Sequence, residues 1–409
     1  MNLLLGNLFV TIEKIDHFIP FLCSSLERGC LLKDRNRFFS AAVFLTFLAA
    51  FPVFLSAAPA AKNSAEKTLR AAPAFPAKSE WVNLPQGSRY SWKNKLTLVY
   101  FWDYTTINCI RELRLLKKWA DAYQEKGLQL VLIHDAEFNF ARKKENVEKA
   151  ARRFGITQPI LLDNDSKLWN AYGNRSWPAR HLVNSEGKIV ETRIGEGENI
   201  AFEIRIREEL LKMDPSIKLP DPVVKVEKDN FNVWDCGEMS TELYVGYKRA
   251  SWWGIEIANR PGVLPDQVLR YKDQGRRLER GLFLNGEWGN REEYMEHTQR
   301  LDDWTSYLGG IYLGAEVYAV MAKQQDTGRE ARIYVRRDDA PVPPETRGSD
   351  LDVDETGETF FILDEPRLYY LISGEDHEFH EIKVMTRDPG VSVYVFAFSN
   401  SCLTDFDHR

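Results

Sequence analysis

Apolar residues follow two patterns in the middle of the chain, one typical of buried strands and one of amphipathic helices. Leu96 to Trp102 is a largely apolar run, as found in a strand that is covered on both faces. Apolar positions from Ile110 to Tyr123 then recur at helical spacing, and Leu128 to Ile133 fits a second buried strand. The pattern then predicts a helix over Asn146 to Phe154 and, after it, a short edge or switch segment over Pro159 to Leu162. This alternation predicts a parallel sheet.

The chain then predicts a hairpin and a closing helix. A turn that contains Gly187 connects two short segments, Arg180 to Asn184 and Ile189 to Arg193, as in a hairpin. An apolar stripe at helical spacing then runs from Ile200 to Met213. After Asp214 the sequence becomes rich in turn residues. We therefore expect the first domain to span residues 79–214.

Short apolar runs that are separated by turn residues dominate the last third of the chain. This pattern predicts an all-β antiparallel sandwich over residues 305–402, with one further strand near 241–247. Residues 215–304 are expected to be a connecting and inserted segment, and the pattern predicts no structure for 250–304. The runs are Gly310 to Ala322, Ala331 to Val335, Glu358 to Leu363, Arg367 to Ile372, Glu381 to Thr386 and Ser392 to Phe398.

The first 60 residues have the composition of a targeting segment. Basic residues precede an uncharged apolar run over 38–55, and small residues follow it, which is the pattern of a signal peptide. We expect an exported protein, periplasmic or extracytoplasmic, with a mature start near Ala61; the alternative is that residues 38–55 remain as a membrane anchor. Residues 61–78, rich in Ala, Pro, Lys and Ser, predict a linker.

Composition narrows the range of partners. The 409-residue chain is long enough for two domains, and its net charge of −6 gives no electrostatic reason to expect nucleic acid. The seven histidines include no convincing pair at the spacing of metal ligands with a carboxylate or cysteine, so we expect no metal and no other cofactor. Cleavage at the predicted site would leave three cysteines, Cys109, Cys236 and Cys402, and the sequence does not reveal whether the last two pair.

Cys109 lies where the first strand meets the first helix. Unpaired backbone N–H groups and the helix dipole stabilise a thiolate in the first turn of a helix, which predicts a lowered pKa for this cysteine. Thr105 or Thr106 can cap the same helix, and Trp102 and Tyr104 are expected to form an apolar rim for a partner peptide.

The segments around Cys109 resemble a known family. The run FWDYTTINCIRELRLLKKW, followed by IHDAEF, LDNDSKLWNAYGNRSWPARHLVNSEGKIV and IGEGE, resembles exported thiol-disulfide oxidoreductases of the TlpA and DipZ type, with a redoxin or AhpC-TSA-like domain. Four later segments resemble the β-sandwich module that follows this domain in the DipZ branch. They are TELYVGY, YLGGIYLGAEVYAV, DEPRLYYLI and DPGVSVYVFAF. The resemblance implies an α/β thioredoxin fold followed by a jelly-roll-like sandwich.

The resemblance also implies roles for individual residues. It implies that Trp177-Pro178 is a cis-proline turn that faces the active site and presents the Trp177 backbone to a bound peptide. The family has Cys-x-x-Cys at the helix start, whereas this chain has Thr106 in place of the outer, attacking cysteine and keeps Cys109. A threonine hydroxyl does not make that attack at neutral pH, so the ordinary dithiol cycle is in doubt.

Three functions from different classes therefore compete. The first is thiol-disulfide exchange with protein thiols or disulfides of the cell envelope through Cys109 alone, and the second is a non-catalytic thioredoxin-fold binding or scaffold protein. The third is a one-cysteine peroxidase that uses Thr106-x-x-Cys109, with Arg175 or Arg180 beside Pro178 as the cation that attack on a peroxide requires.

Further side chains are candidates for supporting roles. His134 and Glu137 follow the second strand, at the sheet edge where ligands bind, and either could poise Cys109 or could simply be structural. The sandwich could bind a glycan through stacking tryptophans, although tryptophans more often lie in a core. The candidates for stacking are Trp252, Trp253, Trp288 and Trp304.

Overall fold

The computed structural model describes residues 69–400 except 77, 86–89, 92–93, 226–236, 325–329 and 375–377. These residues belong to one compact unit, residues 66–409. The predicted targeting segment lies outside the described residues, as do Cys23, Cys30, Cys236 and Cys402. Across the described ranges, no helix combines the length and the apolar character needed to cross a membrane.

The first sheet contains the predicted parallel core. Its strand order is β1-β4-β3-β2-β5-β6. Strand β2 pairs in parallel with β3, and β3 with β4, whereas β1, β5 and β6 join antiparallel. The strands are β1 (Trp81–Val82), β2 (Leu96–Trp102), β3 (Leu128–His134), β4 (Ile160–Leu162), β5 (Ala179–Val183) and β6 (Ile189–Ile194).

Four described helices belong to this domain. The predicted helices are present as α1, α2 and α4, whereas the six-residue helix α3 was not predicted. Their bounds are α1 (Ile107–Tyr123), α2 (Lys144–Arg153), α3 (Lys167–Tyr172) and α4 (Asn199–Met213). A parallel β2–β3–β4 core with an antiparallel hairpin at one side is the thioredoxin arrangement, so this part of the predicted fold is confirmed.

Strand β2 is buried on both faces, as its apolar run predicts. Leu98, Tyr100 and Trp102 contribute to the core under α1, while Val99 and Phe101 contribute to the core on the opposite face. Alternate side chains of a strand point to opposite faces, so one continuous apolar run fills both layers. The strand therefore holds the start of α1 at the centre of the domain.

The remaining described strands form a β-sandwich with a core of its own. The strands are β7 (Leu243–Tyr244), β8 (Glu256–Ile257), β9 (Val268–Tyr271), β10 (Gly281–Asn290), β11 (Met295–His297), β12 (Tyr307–Leu313), β13 (Glu316–Lys323), β14 (Ala331–Arg337), β15 (Ala340–Pro341), β16 (Asp352–Val353), β17 (Thr359–Leu363), β18 (Arg367–Ser373), β19 (Phe379–Met385) and β20 (Val391–Ser399). A short helix, α5 (Tyr247–Trp253), follows β7.

Strand β10 joins the two layers of the sandwich. Its first half pairs with β12, and its second half pairs with β9 and β11 in the other layer. The change occurs at Gly286, whose φ is +99°, and a Cβ there would lie 1.7 Å from Oγ of Ser306. Only glycine fits this corner of the sandwich.

The segment 215–304 is more ordered than the sequence predicts. Residues between 243 and 297 supply β7 to β11, which pair with other strands of the sandwich. The sandwich strands therefore begin well before residue 305. The predicted runs from residue 310 onward correspond to β12–β14 and β17–β20, with Gly310 to Ala322 divided between two strands.

One layer of the sandwich is buried on both faces. In β13, Val317, Ala319 and Met321 lie in the sandwich core, whereas Tyr318 and Val320 join the core of the first domain. Tyr394 of β20 also joins this shared core. The two domains are thus packed together through an apolar contact.

Candidate functional site

Cys109 lies in the first turn of α1, directly after the loop that follows β2. Its backbone N–H donates to the Thr106 carbonyl at 3.0 Å, and the Tyr100 hydroxyl donates to the Cys109 carbonyl at 3.0 Å. The side chain is 0% exposed, and it is a free thiol. The structure thus confirms the predicted helix position of Cys109 and adds that its sulfur is inaccessible.

Burial reverses the electrostatic prediction for this thiol. The helix start predicts a lowered pKa, but removal from solvent raises the pKa of Cys109 well above its ordinary value. A hydrogen bond with the Asp103 backbone opposes this rise, whereas the negative charges of Asp103 and Glu112 add to it. Desolvation of a buried thiolate outweighs the stabilising effect of the helix end. The Cys109 thiol is therefore protonated at neutral pH in this closed arrangement.

Thr106 occupies the outer position of the motif and is half-buried. Its backbone is extended at the N-cap, but its hydroxyl does not cap the helix; it donates to Glu137 Oε2 at 3.3 Å. The hydroxyl of Thr105 instead donates to Asp103 Oδ1 at 2.6 Å. Thr106 is therefore the N-cap residue, as predicted, but neither threonine hydroxyl supplies the capping hydrogen bond, because acidic side chains hold both hydroxyls.

Asp103 organises the loop before α1, although the sequence interpretation did not single it out. Its carboxylate accepts hydrogen bonds from the Thr105 N–H at 2.6 Å and from the Glu137 N–H at 2.6 Å. It is fully buried, and burial raises its pKa. The Asp-x-Thr spacing directly after a strand is a signal that could have revealed this turn.

His134 lies at the end of β3, behind the loop. Its Nε2 is 3.8 Å from Asp103 Oδ2, and its ring stacks on Tyr104 with 5.4 Å between ring centroids. Burial lowers its pKa to about 3, so the imidazole is neutral across the physiological range. In this arrangement His134 is packed as a neutral core residue.

Glu137 connects the helix start to the sandwich. Its Oε1 accepts a hydrogen bond from the Tyr244 hydroxyl at 2.8 Å and forms an ion pair with Arg249, while its Oε2 accepts from Thr106. The Arg249 guanidinium also lies over the Tyr244 ring, 4.7 Å from the centroid. Glu137 therefore contacts the outer position of the motif and not the Cys109 sulfur.

The predicted peptide rim is only partly present. Trp102 and Tyr104 are 0% and 1% exposed, so they are core residues and cannot lie against a peptide in this arrangement. Their apolar rings pack around His134 instead. The rim prediction for these two residues is corrected accordingly.

The Trp177-Pro178 peptide bond is cis, as predicted. Trp177 is half-buried, and its ring lies 4.6 Å from that of Trp169. Because Phe101 pairs with Ala179, the same register places Pro178 beside Trp102, at the end of β2 that leads to Cys109. Pro178 is itself buried, so in this arrangement the half-buried Trp177 is the residue of this turn that can contact a bound peptide.

The surroundings of the two candidate arginines differ from those that a peroxide site requires. Arg175 is exposed, and the buried Arg180 donates to Asn199 Oδ1 at 2.7 Å and to the Gly197 carbonyl at 2.5 Å. The Arg180 guanidinium also lies 3.5 Å from the carboxylate of Glu112. The charge of Arg180 is thus balanced by Glu112.

Glu112 lies one turn beyond Cys109, and the sequence interpretation overlooked it. It is buried, and burial raises its pKa to about 7 despite the opposing charge of Arg180. A glutamate beside the apolar stripe Leu113 and Leu116 is the signal that could have marked it. Glu112 is thus a carboxyl that acts on Cys109 and whose pKa lies near neutrality.

The candidate sugar-stacking tryptophans differ in exposure. Trp252 is 87% exposed and Trp253 is 46% exposed, both on α5. Trp288 is fully buried, so it is corrected to a core residue, and Trp304 packs edge-on against Tyr334. The Trp253 ring stacks on Tyr244, so Trp252 is the candidate with the most open ring.

Within the described ranges, no three His, Cys, Asp or Glu side chains come together as metal ligands would. The side chains that come together at the start of α1 are those of Cys109, Thr106 and the nearby carboxylates Asp103, Glu112 and Glu137.

Both parts of the chain match known families. Residues 69–192 match the AhpC/TSA family, and residues 240–399 match the family described as thioredoxin like C-terminal domain. Protein DipZ of Mycobacterium bovis is 36% identical over 145 residues, which cover 35% of this chain and 21% of that protein. Thiol-disulfide oxidoreductase ResA of Geobacillus thermodenitrificans is 32% identical over 98 residues, covering 24% of this chain and 53% of that protein.

A solved structure also resembles part of the chain. A thiol-disulfide isomerase from Corynebacterium glutamicum is 19% identical and covers 34% of this chain and 96% of its own, with a TM-score of 0.31. The fold itself follows from the strand order and not from this comparison. The chain thus pairs a domain of thioredoxin-like fold that matches the AhpC/TSA family with a second domain that matches the family described as thioredoxin like C-terminal domain, and the proteins similar to it include thiol-disulfide oxidoreductases.

Proposed function

We propose that this protein is a cell-envelope thiol-disulfide exchange protein that acts on protein thiols or disulfides through Cys109 alone. The observation that carries the proposal is the position of Cys109 in the first turn of α1, three residues after Thr106 and directly behind the central strand β2. The position of the Trp177-Pro178 turn, beside the end of that strand, supports it. The envelope location is supported by the signal-like sequence over residues 38–55.

The exchange step follows ordinary thiol chemistry. Cys109 loses its proton, and its sulfur attacks one sulfur of a partner disulfide; the partner S–S bond breaks as a new S–S bond to Cys109 forms. The second partner sulfur leaves as a thiolate and takes up a proton. Because position 106 carries a hydroxyl, an external thiol must resolve the mixed disulfide by the same exchange.

The closed arrangement does not carry out this step. Cys109 is fully buried and its pKa is raised, so attack requires a conformation in which the sulfur reaches solvent. The resting thiol is protected from unselective oxidation in the same way. A slow reaction that depends on opening is therefore the expected behaviour.

A non-catalytic binding function is the second candidate, and the same burial favours it. Thr106 is held by Glu137, and the sandwich partners of Glu137 occupy the adjacent surface. If Cys109 never reaches solvent, the thioredoxin fold serves as a docking module. Trp252, at 87% exposure, then keeps glycan stacking as a further possibility for the sandwich.

The test is to react the mature protein with a disulfide dye and, separately, with hydrogen peroxide, and to locate the modified residue by mass spectrometry. Exchange predicts a mixed disulfide at Cys109 with the dye, absent from the Cys109→Ala variant. Rapid sulfenic acid formation at Cys109 would favour the peroxidase alternative. No modification of Cys109 by either reagent under native conditions would contradict exchange and leave the binding function.

A further inference from the structure

The face of the first domain that contains Thr106 is in contact with the sandwich. Phe138 and Phe140, in the segment after β3, lie edge-on to Tyr394 of β20, with ring centroids 5.0 and 4.9 Å apart. The Asn139 N–H donates to Glu293 of the sandwich at 2.9 Å. Parallel sheets bind ligands at the carboxyl ends of their strands, and that end of β3 is where the sandwich packs.

Charged contacts surround this apolar centre. Arg111 of α1 is only 3% exposed and donates to the Ser399 hydroxyl at 2.7 Å, while Glu196 balances its charge at 2.7 Å. Arg153 at the end of α2 forms an ion pair with Glu365 of the sandwich. The contact is therefore fixed at several points around Thr106.

The most direct contact with the motif passes through Glu137. One oxygen of its carboxylate accepts from Thr106, and the other is bound by Tyr244 and Arg249 of the sandwich. A single carboxylate thus separates the outer position of the motif from two sandwich side chains. A protein partner that approaches residue 106 would meet Tyr244 and Arg249.

We propose that the β-sandwich is a built-in cover for the exchange face, and that the contact of Glu137 with Tyr244 and Arg249 holds it closed. A folded partner reaches residue 106 only when the sandwich moves away. Removing the Arg249 charge leaves Glu137 without its ion-pair partner, which weakens the closed arrangement. The inference deepens the proposed function by giving its site a means of control.

The test places a reporter thiol at the covered position. In a full-length Thr106→Cys, Cys109→Ala chain under reducing conditions, residue 106 is labelled with a bulky polyethylene-glycol maleimide and, separately, with N-ethylmaleimide, and its peptide is quantified by mass spectrometry. Adding Arg249→Met should raise the rate at which the bulky maleimide labels residue 106 by about tenfold. The labelling rate with N-ethylmaleimide should rise by less than about threefold. Arg270→Met is the matched control, because its ion-pair partner Glu287 belongs to the sandwich itself, and it should change neither rate.

A second variant keeps the test decisive if Arg249→Met does not fold. Tyr244→Phe removes only the hydroxyl that donates to Glu137 and should raise the bulky-reagent rate by a few-fold. The proposal would be overturned if the bulky reagent labelled residue 106 at the same rate with and without these substitutions. It would also be overturned if the labelling rates with both reagents rose equally. Because the reporter chain lacks Cys109, failure of the cover is distinguishable from failure of Cys109 to exchange.

Discussion

At the scale of single residues, Cys109 and Thr106 have opposite surroundings. Cys109 is enclosed by the core under α1, whereas Thr106 is half-buried beside Glu137. The sequence singled out both positions because the transition from strand to helix is readable from apolar spacing. It did not predict the burial of Cys109, since the residues that enclose it come from several distant elements.

Replacement of Cys109 by alanine should leave the fold intact. The substitution removes one small buried side chain at a helix start, so we expect the free energy of unfolding to fall by about 0.5–3 kcal/mol. Cys109→Ser should cost about 1 kcal/mol more than alanine, because it buries a hydroxyl. Urea unfolding of the three proteins measures both differences, and a chain that cannot fold would make Cys109 an indispensable core residue.

Glu112 should make stability fall as pH rises towards neutrality. Its pKa is raised in the fold from 4.5 to about 7, so between these values the folded chain keeps a proton that the unfolded chain has lost. Glu112→Gln removes this dependence. Relative to wild type, the variant should therefore gain stability between pH 5 and pH 8, by about 3 kcal/mol at most.

Urea unfolding at the two pH values measures this gain. Glu208→Gln is the matched control, because that side chain is exposed on α4. An equal stability difference between wild type and Glu112→Gln at both pH values would contradict the raised pKa.

At the scale of elements, the corner in β10 depends on one glycine. Gly286→Ala combines a φ of +99° with a Cβ 1.7 Å from Ser306 Oγ, so we expect a loss of about 3 kcal/mol or more in unfolding free energy. Gly357→Ala is the control, since its φ of +88° is similar but no atom lies within 4 Å of the added Cβ. It should cost only about 1 kcal/mol, and equal costs for the two variants in thermal unfolding would contradict a steric corner.

The elements differ in how well the sequence predicted them. Strand β2 was predicted with its exact bounds, because a continuous apolar run between polar segments has one simple interpretation. Strands β8 to β11 were missed because they are short or mix charged and apolar residues, and β10 changes layers at Gly286. Their pairing is decided by tertiary contacts that no local pattern records.

At the scale of the whole molecule, the sheet that contains β13 and β20 lies between two cores. Tyr394 is central to the contact, because it packs on Phe138 and Phe140 and accepts a hydrogen bond from Gln324 at 2.7 Å. The long apolar runs of these strands are the sequence signal for burial on both faces. The sequence interpretation used those runs to predict strands but not the domain contact that they also imply.

Tyr394→Ala should uncouple the two domains. The loss of a buried aromatic side chain costs about 3–5 kcal/mol, and here the cost falls on the contact between domains. Calorimetry should show one unfolding transition for wild type and two separated transitions for the variant. Tyr334→Ala, in the other layer of the sandwich, is the control and should keep a single transition; two transitions already present in wild type would contradict the coupling.

The central claim is that the first domain retains a thiol-disulfide exchange site from which the outer thiol is missing. Thr106→Cys restores that thiol in the first turn of α1, beside Cys109. The most direct measurement is an insulin-reduction assay on wild type and this variant, with the state of the two cysteines read by mass spectrometry after mild oxidation. We expect a reducible disulfide between residues 106 and 109 and insulin-reducing activity in the variant well above that of wild type. If the two cysteines form no disulfide, the exchange-site account of this segment is contradicted.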